Sequence, residues 1–266
     1  MLLTIWIIFK VLEILSQFNG LKPNPLIFLS IAISMIIFQL FLYQINDETK
    51  LNHATMFMSL FSQGILAITS LYMVKRHYKT EVFGKSYIFL FIGIISVLVG
   101  DLMYNVLLMF NYNPHSFITD GLFIVFYLFM SLHLYMIVKN FKRGFDRKDA
   151  VVMFSVILIT VLAYSIFTYN KIHEFNFDFY YGMIFVFGSA VVAGFAMIGL
   201  KTFKKIPLGR PWMIITVGIL LGTIADVWYI YADITGFFTL DHGSNQLWYA
   251  SYFVILYGIF KTTKAI

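Results

Sequence analysis

Residues 86–110 read SYIFLFIGIISVLVGDLMYNVLLMF, an apolar run whose one charged residue is Asp101. A bilayer core asks for roughly 20 consecutive, mostly apolar residues per helix, and this stretch meets that length with an acid inside it. A shift of 125 residues brings up the same pattern in PWMIITVGILLGTIADVWYIYA at 211–232. Gly93 falls on Gly218, Ile94 on Ile219, Asp101 on Asp226 and Tyr104 on Tyr229. The register continues without gaps: Leu122 meets Leu247, Tyr127 meets Tyr252 and Lys139 meets Lys264. Asp120 pairs with Asn245 and Phe123 with Trp248. Apolar helices match one another cheaply by composition. Asp, Gly and Tyr coinciding at one offset point to an internal duplication.

Eight apolar blocks follow from the same reading, near 25–44, 54–74, 86–110, 117–138, 149–168, 178–200, 211–232 and 246–260. The chain is 60% hydrophobic and 12% charged, about half the charged fraction of a soluble domain. The expected fold is an all-α polytopic membrane protein of eight transmembrane helices. These form two parallel four-helix repeats, residues 21–143 and 144–266, preceded by an N-terminal apolar helix at 1–20. An even number of spans per repeat makes both halves enter and leave on one side, unlike the inverted repeats of many transporters. Within residues 1–18, Lys10 and Glu13 are spaced for one helical face. A ninth span and an interfacial helix both fit that segment.

Lys and Arg concentrate in alternate loops. Loop 75–85 holds Lys75, Arg76, Lys79 and Lys85; loop 139–148 holds Lys139, Lys142, Arg143, Arg147 and Lys148. Loop 201–210 holds Lys201, Lys204, Lys205 and Arg210, and the C-terminus holds Lys261 and Lys264. The intervening loops hold only Lys50 and Lys171. Positive charge stays inside, so the C-terminus is expected in the cytoplasm of a cell-membrane protein. The formal charge of +6 then reports topology, not nucleic-acid binding. Membrane lipid is the expected surrounding partner, and the basic loops would meet a cytoplasmic output protein.

The absence of cysteine removes disulfides, thiolate metal sites and cysteine nucleophiles. No glycine-rich phosphate loop, nucleophile elbow or HExxH is present. A retinal pigment is excluded too, because no lysine lies in the middle of the last span. No cofactor or metal is expected.

Chemistry therefore centres on the two acids. An ionisable residue inside a span costs at least about 2.5–3.5 kcal/mol on insertion scales and is functional by default. At about 1.5 Å per residue, Asp101 and Asp226 lie some 13 Å or less below the outer surface. Tyr104 and Tyr229, three residues on, share their faces, and Asp233 extends the second face. Gly218, Gly222 and Asp226 form a small-residue strip suited to close helix approach; the first half has Gly93, Val97 and Asp101. Two readings stand, a hydrogen-bonded clamp between helices and a ligand or proton site. His133, deep in a span, could reach Asp101 from the next helix. A lone histidine is more often packed polar structure than a metal ligand.

The double constellation reads Asp, Tyr at +3, Asp or Asn at +19, an aromatic at +22 and Tyr at +26. It comprises Asp101, Tyr104, Asp120, Phe123 and Tyr127, then Asp226, Tyr229, Asn245, Trp248 and Tyr252. It resembles the multi-helix N-terminal membrane sensor module of bacterial GGDEF and EAL signalling proteins. The resemblance implies a sensory input that binds a ligand. No GGDEF, EAL or kinase domain follows, so the expectation is a stand-alone module without cyclase activity. Val99-Gly100-Asp101, with His133 and Tyr135 downstream, is similar to the lysoplasmalogenase-like membrane hydrolases. That likeness implies an intramembrane hydrolase with Asp101 and Asp226 as acid and base. A carrier and a subunit of a membrane complex complete the alternatives.

Overall fold

The structure, a computed structural model, describes residues 23–142 and 144–265. The expected helix at 1–20 lies outside them. The described residues form eight helices: α1 Pro25–Leu42, α2 Glu48–His77, α3 Gly84–Met109, α4 Phe117–Phe141, α5 Arg147–Ile172, α6 Phe177–Phe203, α7 Gly209–Ile234 and α8 Gly243–Ala265.

Local chemistry marks the helix ends. Asn24 caps α1 with Pro25 in the first turn, and Asp47 and Ser116 accept from the free N–H groups that open α2 and α4. Asp146 and Asp149 form a reciprocal capping box at the start of α5. Asn111 and His173 leave the chain in the left-handed region just past α3 and α5, a common way to end a helix.

Seven helices, α1 to α7, are long and apolar enough to cross a membrane. α8 has the length, at 23 residues, but carries Ser244, Asn245, Gln246, Ser251 and Thr262, all turned inward. α2 shows the same inversion. Its Thr55, Ser59, Ser62, Gln63 and Ser70 are buried, whereas Phe57, Phe61, Ile68 and Tyr72 face outward. A water-soluble helix does the opposite. α5 buries only Asp149, Tyr164 and Thr168 and exposes Val151, Phe154, Ile159, Ile166 and Phe167. Apolar surface this continuous is a membrane-facing feature, since soluble monomers rarely expose patches above a few hundred Å². The architecture is that of a polytopic helical membrane protein.

Six helices close a ring: α2 packs on α3, α3 on α4, α4 on α6, α6 on α7, α7 on α8, and α8 returns to α2. α1 and α5 stand outside it, α1 against α8 and α5 against α6 and α7. The 125-residue shift carries Gly84–Met109 onto Gly209–Ile234 and turns the α4–α6 contact into the α8–α2 contact. α1 and α5 do not follow it, because they choose different neighbours. At the basic end, Asp149 is buried beneath Lys142 and Lys201, with Lys201 Nζ 3.0 Å from its Oδ1. This ties α4, α5 and α6 together. Exposed Asp146 joins the cluster, and its capping bond to the Asp149 N–H, with Lys142 beside it, holds its carboxyl at about 2.

Candidate functional site

The ring encloses a cavity of about 710 Å³. It occupies only one end of the bundle. On α3 it is lined from Ile94 to Asn105 and on α7 from Ile219 to Ile234, the second halves of those helices. On α4, α6 and α8 it is lined by the first halves. Its rim carries Asn113, His115, Phe238 and Leu240, from the loops opposite the basic end. The floor is apolar, with Met130, Val192 and Ile255.

From the first half of the chain, Asp101, Tyr104, Asp120 and Tyr127 line this cavity. From the second half, Asp226, Tyr229, Asp233, Asn245, Trp248 and Tyr252 line it as well. His133 does not. Its Nδ1 is 2.8 Å from Ser86 Oγ and its ring packs on Tyr87. The expected approach to Asp101 fails on register: antiparallel packing sets Gly100 beside Leu122 and Phe123, and Ser86 beside His133.

The two acids are held differently. The Ser59 hydroxyl donates to Asp101 Oδ2 at 2.5 Å, and Gln63 Nε2 donates to the same oxygen. Gln63 Nε2 also lies 3.4 Å from Tyr252 Oη. Trp248 Nε1 donates to Asp226 Oδ1 at 2.7 Å, and the hydroxyls of Ser189 and Tyr127 interact with that carboxyl too. The difference follows from substitutions within the matched pattern. Phe123 stands where Trp248 stands and has no N–H to offer, whereas Ser59 and Gln63 of α2 stand where α6 has Ile184 and Gly188, so Asp101 takes its donors from α2.

The contacts cross between the halves. Tyr127 reaches Asp226, and Tyr252 reaches Gln63, the donor to Asp101. Tyr104 and Tyr229 meet each other. Asn245 is spent on the loop, donating to the Leu240 carbonyl at 2.8 Å. Its counterpart Asp120 accepts from Tyr181 Oη at 2.7 Å.

At the rim His115 bridges two helices, with Nδ1 3.7 Å from Asp120 Oδ1 on α4 and Nε2 3.7 Å from Asp233 Oδ2 on α7. Tyr104 of α3 packs edge-on against the same ring, and Asp178 of α6 lines the cavity nearby. The Asp120 bond and the charges of Asp233 and Asp120 raise the His115 pKa above its ordinary value, against the opposing effect of burial. A raised histidine contributes stability that is complete below about pH 6.5, its unfolded value, and is lost as pH rises through the folded value. The melting temperature is therefore expected to fall as pH rises from about 6.5 through the raised His115 value. His115→Gln should flatten that profile; an unchanged slope in a differential scanning trace would refute the bridge.

Sequence reasoning did not single out Ser59, Gln63, Ser189, Tyr181 or His115 for the site. A signal was present for two of them: Thr55, Ser59 and Gln63 recur every four residues on one face of α2. For Ser189 and Tyr181 the sequence offers none, because an isolated Ser or Tyr in a span is ordinary.

Five aspartates, 101, 120, 178, 226 and 233, line the cavity, and among the described residues no Lys or Arg does. Among the described residues, no group of three or more His, Asp or Glu is placed to hold a metal ion. The arrangement can accept hydrogen bonds and positive charge at mid-depth and bury apolar surface below. No family model matches this chain, and no curated protein or solved structure matches it either.

Proposed function

We propose that this protein is an integral membrane ligand-binding module of the sensory kind. Its two halves act as parallel four-helix repeats around one outward-facing pocket, with the C-terminus and the basic loops in the cytoplasm. The observation that carries this reading is the single cavity into which the Asp–Tyr constellations of both halves project. Its volume, about 710 Å³, falls within the range of small-molecule sites, about 300–1,000 Å³. A helix clamp needs buried hydrogen bonds but no space, so the cavity favours a ligand over a clamp. The contacts that cross between the halves couple occupancy to their relative position, and the basic loops at the far end would pass that change to an output protein.

The test is a thermal-shift screen of the purified chain, compared with Gly222→Phe. Gly222 lines the cavity, and a Cβ there meets the Ser251 side chain, Oγ at 3.0 Å, and no backbone atom within 4 Å, so a larger residue is expected to take up cavity space. A ligand at 100 times its Kd adds about 2.7 kcal/mol of stability. Stabilisation that persists in Gly222→Phe would place binding elsewhere and defeat the proposal.

A second reading, an intramembrane hydrolase, is favoured by one observation: Asp101 and Asp226 line the same cavity and both act on Tyr252. One carboxyl would serve as general acid and the other as general base. Turnover of a bound ligand that stops in either Asp→Asn variant would select this reading over the sensor.

A further inference from the structure

The chemistry of the cavity wall specifies what it takes. Asp101 and Asp226 line the cavity, and among the described residues no Lys or Arg on its wall supplies a counter-charge. Anions are excluded by the same wall. Hydrated inorganic cations are a poor match for its size and for the aromatic rings beside the acids: Tyr104, Tyr127, Tyr229, Trp248 and Tyr252. Aromatic faces attract cations, most strongly when these are desolvated.

Access points the same way. Gln63 is 1% exposed and its Nε2 is spent on Asp101 and Ser59, whereas the half-buried Asp101 and Asp226 keep surface open and line the cavity.

We propose that the cavity binds a protonated organic amine carrying an apolar body. The ammonium sits between Asp101 and Asp226, faced by tyrosine and tryptophan rings, and the apolar body lies on the floor at Met130, Val192 and Ile255. This rests on reading the cavity as a ligand site and adds the ligand's class. The amine could arrive free from the outer solution or as the headgroup of a lipid.

The experiment uses the full chain in phosphatidylglycerol nanodiscs. Calorimetric titrations compare 2-phenylethylammonium with two probes of similar shape, neutral 2-phenylethanol and anionic phenylacetate. Gly222→Phe in the same discs measures binding to the lipid surface, which is subtracted. The ammonium is expected to bind about 30-fold or more tightly than the alcohol, and phenylacetate not at all. Equal affinity for the alcohol, preference for phenylacetate, or no ammonium binding sensitive to Gly222→Phe would overturn the assignment. The ligand-site reading would survive those results if the thermal-shift screen yields a neutral or anionic ligand whose effect Gly222→Phe abolishes. Ammonium binding supports the assignment, and discs containing phosphatidylethanolamine then identify the source. About tenfold weaker binding of the free probe there marks the lipid headgroup as the competitor, and unchanged binding marks a free amine.

Discussion

Asn at both Asp101 and Asp226 is expected to weaken 2-phenylethylammonium binding about 100-fold or more while leaving the protein folded. Removing one partner of a buried, hydrogen-bonded charge pair costs about 2–5 kcal/mol, and every 1.4 kcal/mol is tenfold. Asn keeps the carboxylate's shape and one acceptor oxygen. The Ser59 hydroxyl and the Trp248 N–H can therefore still donate to positions 101 and 226. The melting temperature should change by only a few degrees, and the loss should appear in titrations. Unchanged affinity in a folded double variant would leave the acids as helix clamps and defeat both the sensor and the amine assignment. The single variants add a comparison: Asp101→Asn also disturbs the bond from Gln63 and should be the more damaging of the two.

Gly258→Ala is expected to be the most destabilising one-carbon change in the α7–α8 pair. A Cβ there would lie 2.9 Å from the Ile215 backbone N and 3.3 Å from its Cα. Backbone cannot rotate out of the way, so the helices must separate. Overpacking of this kind costs about 1–3 kcal/mol. Gly218→Ala should follow closely, with Cβ 3.0 Å from Ile255 N. Gly93→Ala, at the matching position of the first half, meets nothing nearer than Phe129 Cβ at 3.4 Å. It should be neutral or gain the helix preference of Ala over Gly, about 0.5–1 kcal/mol. Unfolding midpoints in mild detergent measure all three. Equal stability of Gly258→Ala and Gly93→Ala would show that α7 and α8 do not pack more closely than α3 and α4.

Much of the architecture was legible along the chain because the forces that set it are local. Twenty apolar residues exclude a soluble strand or loop, caps such as Asn24 and Asp146 satisfy free N–H groups within three residues, and helical spacing sets Asp101 and Tyr104 on one face. The eight apolar blocks accordingly match the eight observed helices. The offset of 125 residues also drew attention to residues that the folded chain gathers around one cavity.

Spatial partnership was not legible, because it depends on which helix faces meet. Gly93 and Gly218 are equivalent in the sequence, yet only Gly218 is pressed against backbone. His133 was within plausible reach of Asp101 until antiparallel register set it beside Ser86. Ser59 and Gln63 share one face of α2 by their spacing, but only packing brings that face against Asp101. The amino-acid sequence by itself determined that the chain is helical, where its helices run and that each half carries an acid among apolar residues; those follow from periodicity and from solvation of the backbone. Only the tertiary structure decided that the acids share one cavity, that Tyr127 of the first half reaches Asp226 while Tyr252 of the second reaches Gln63, and that among the described residues no Lys or Arg lines that cavity. Those outcomes depend on side chains about a hundred residues or more apart, whose meeting is set by the closing of a six-helix ring and not by any spacing along the chain.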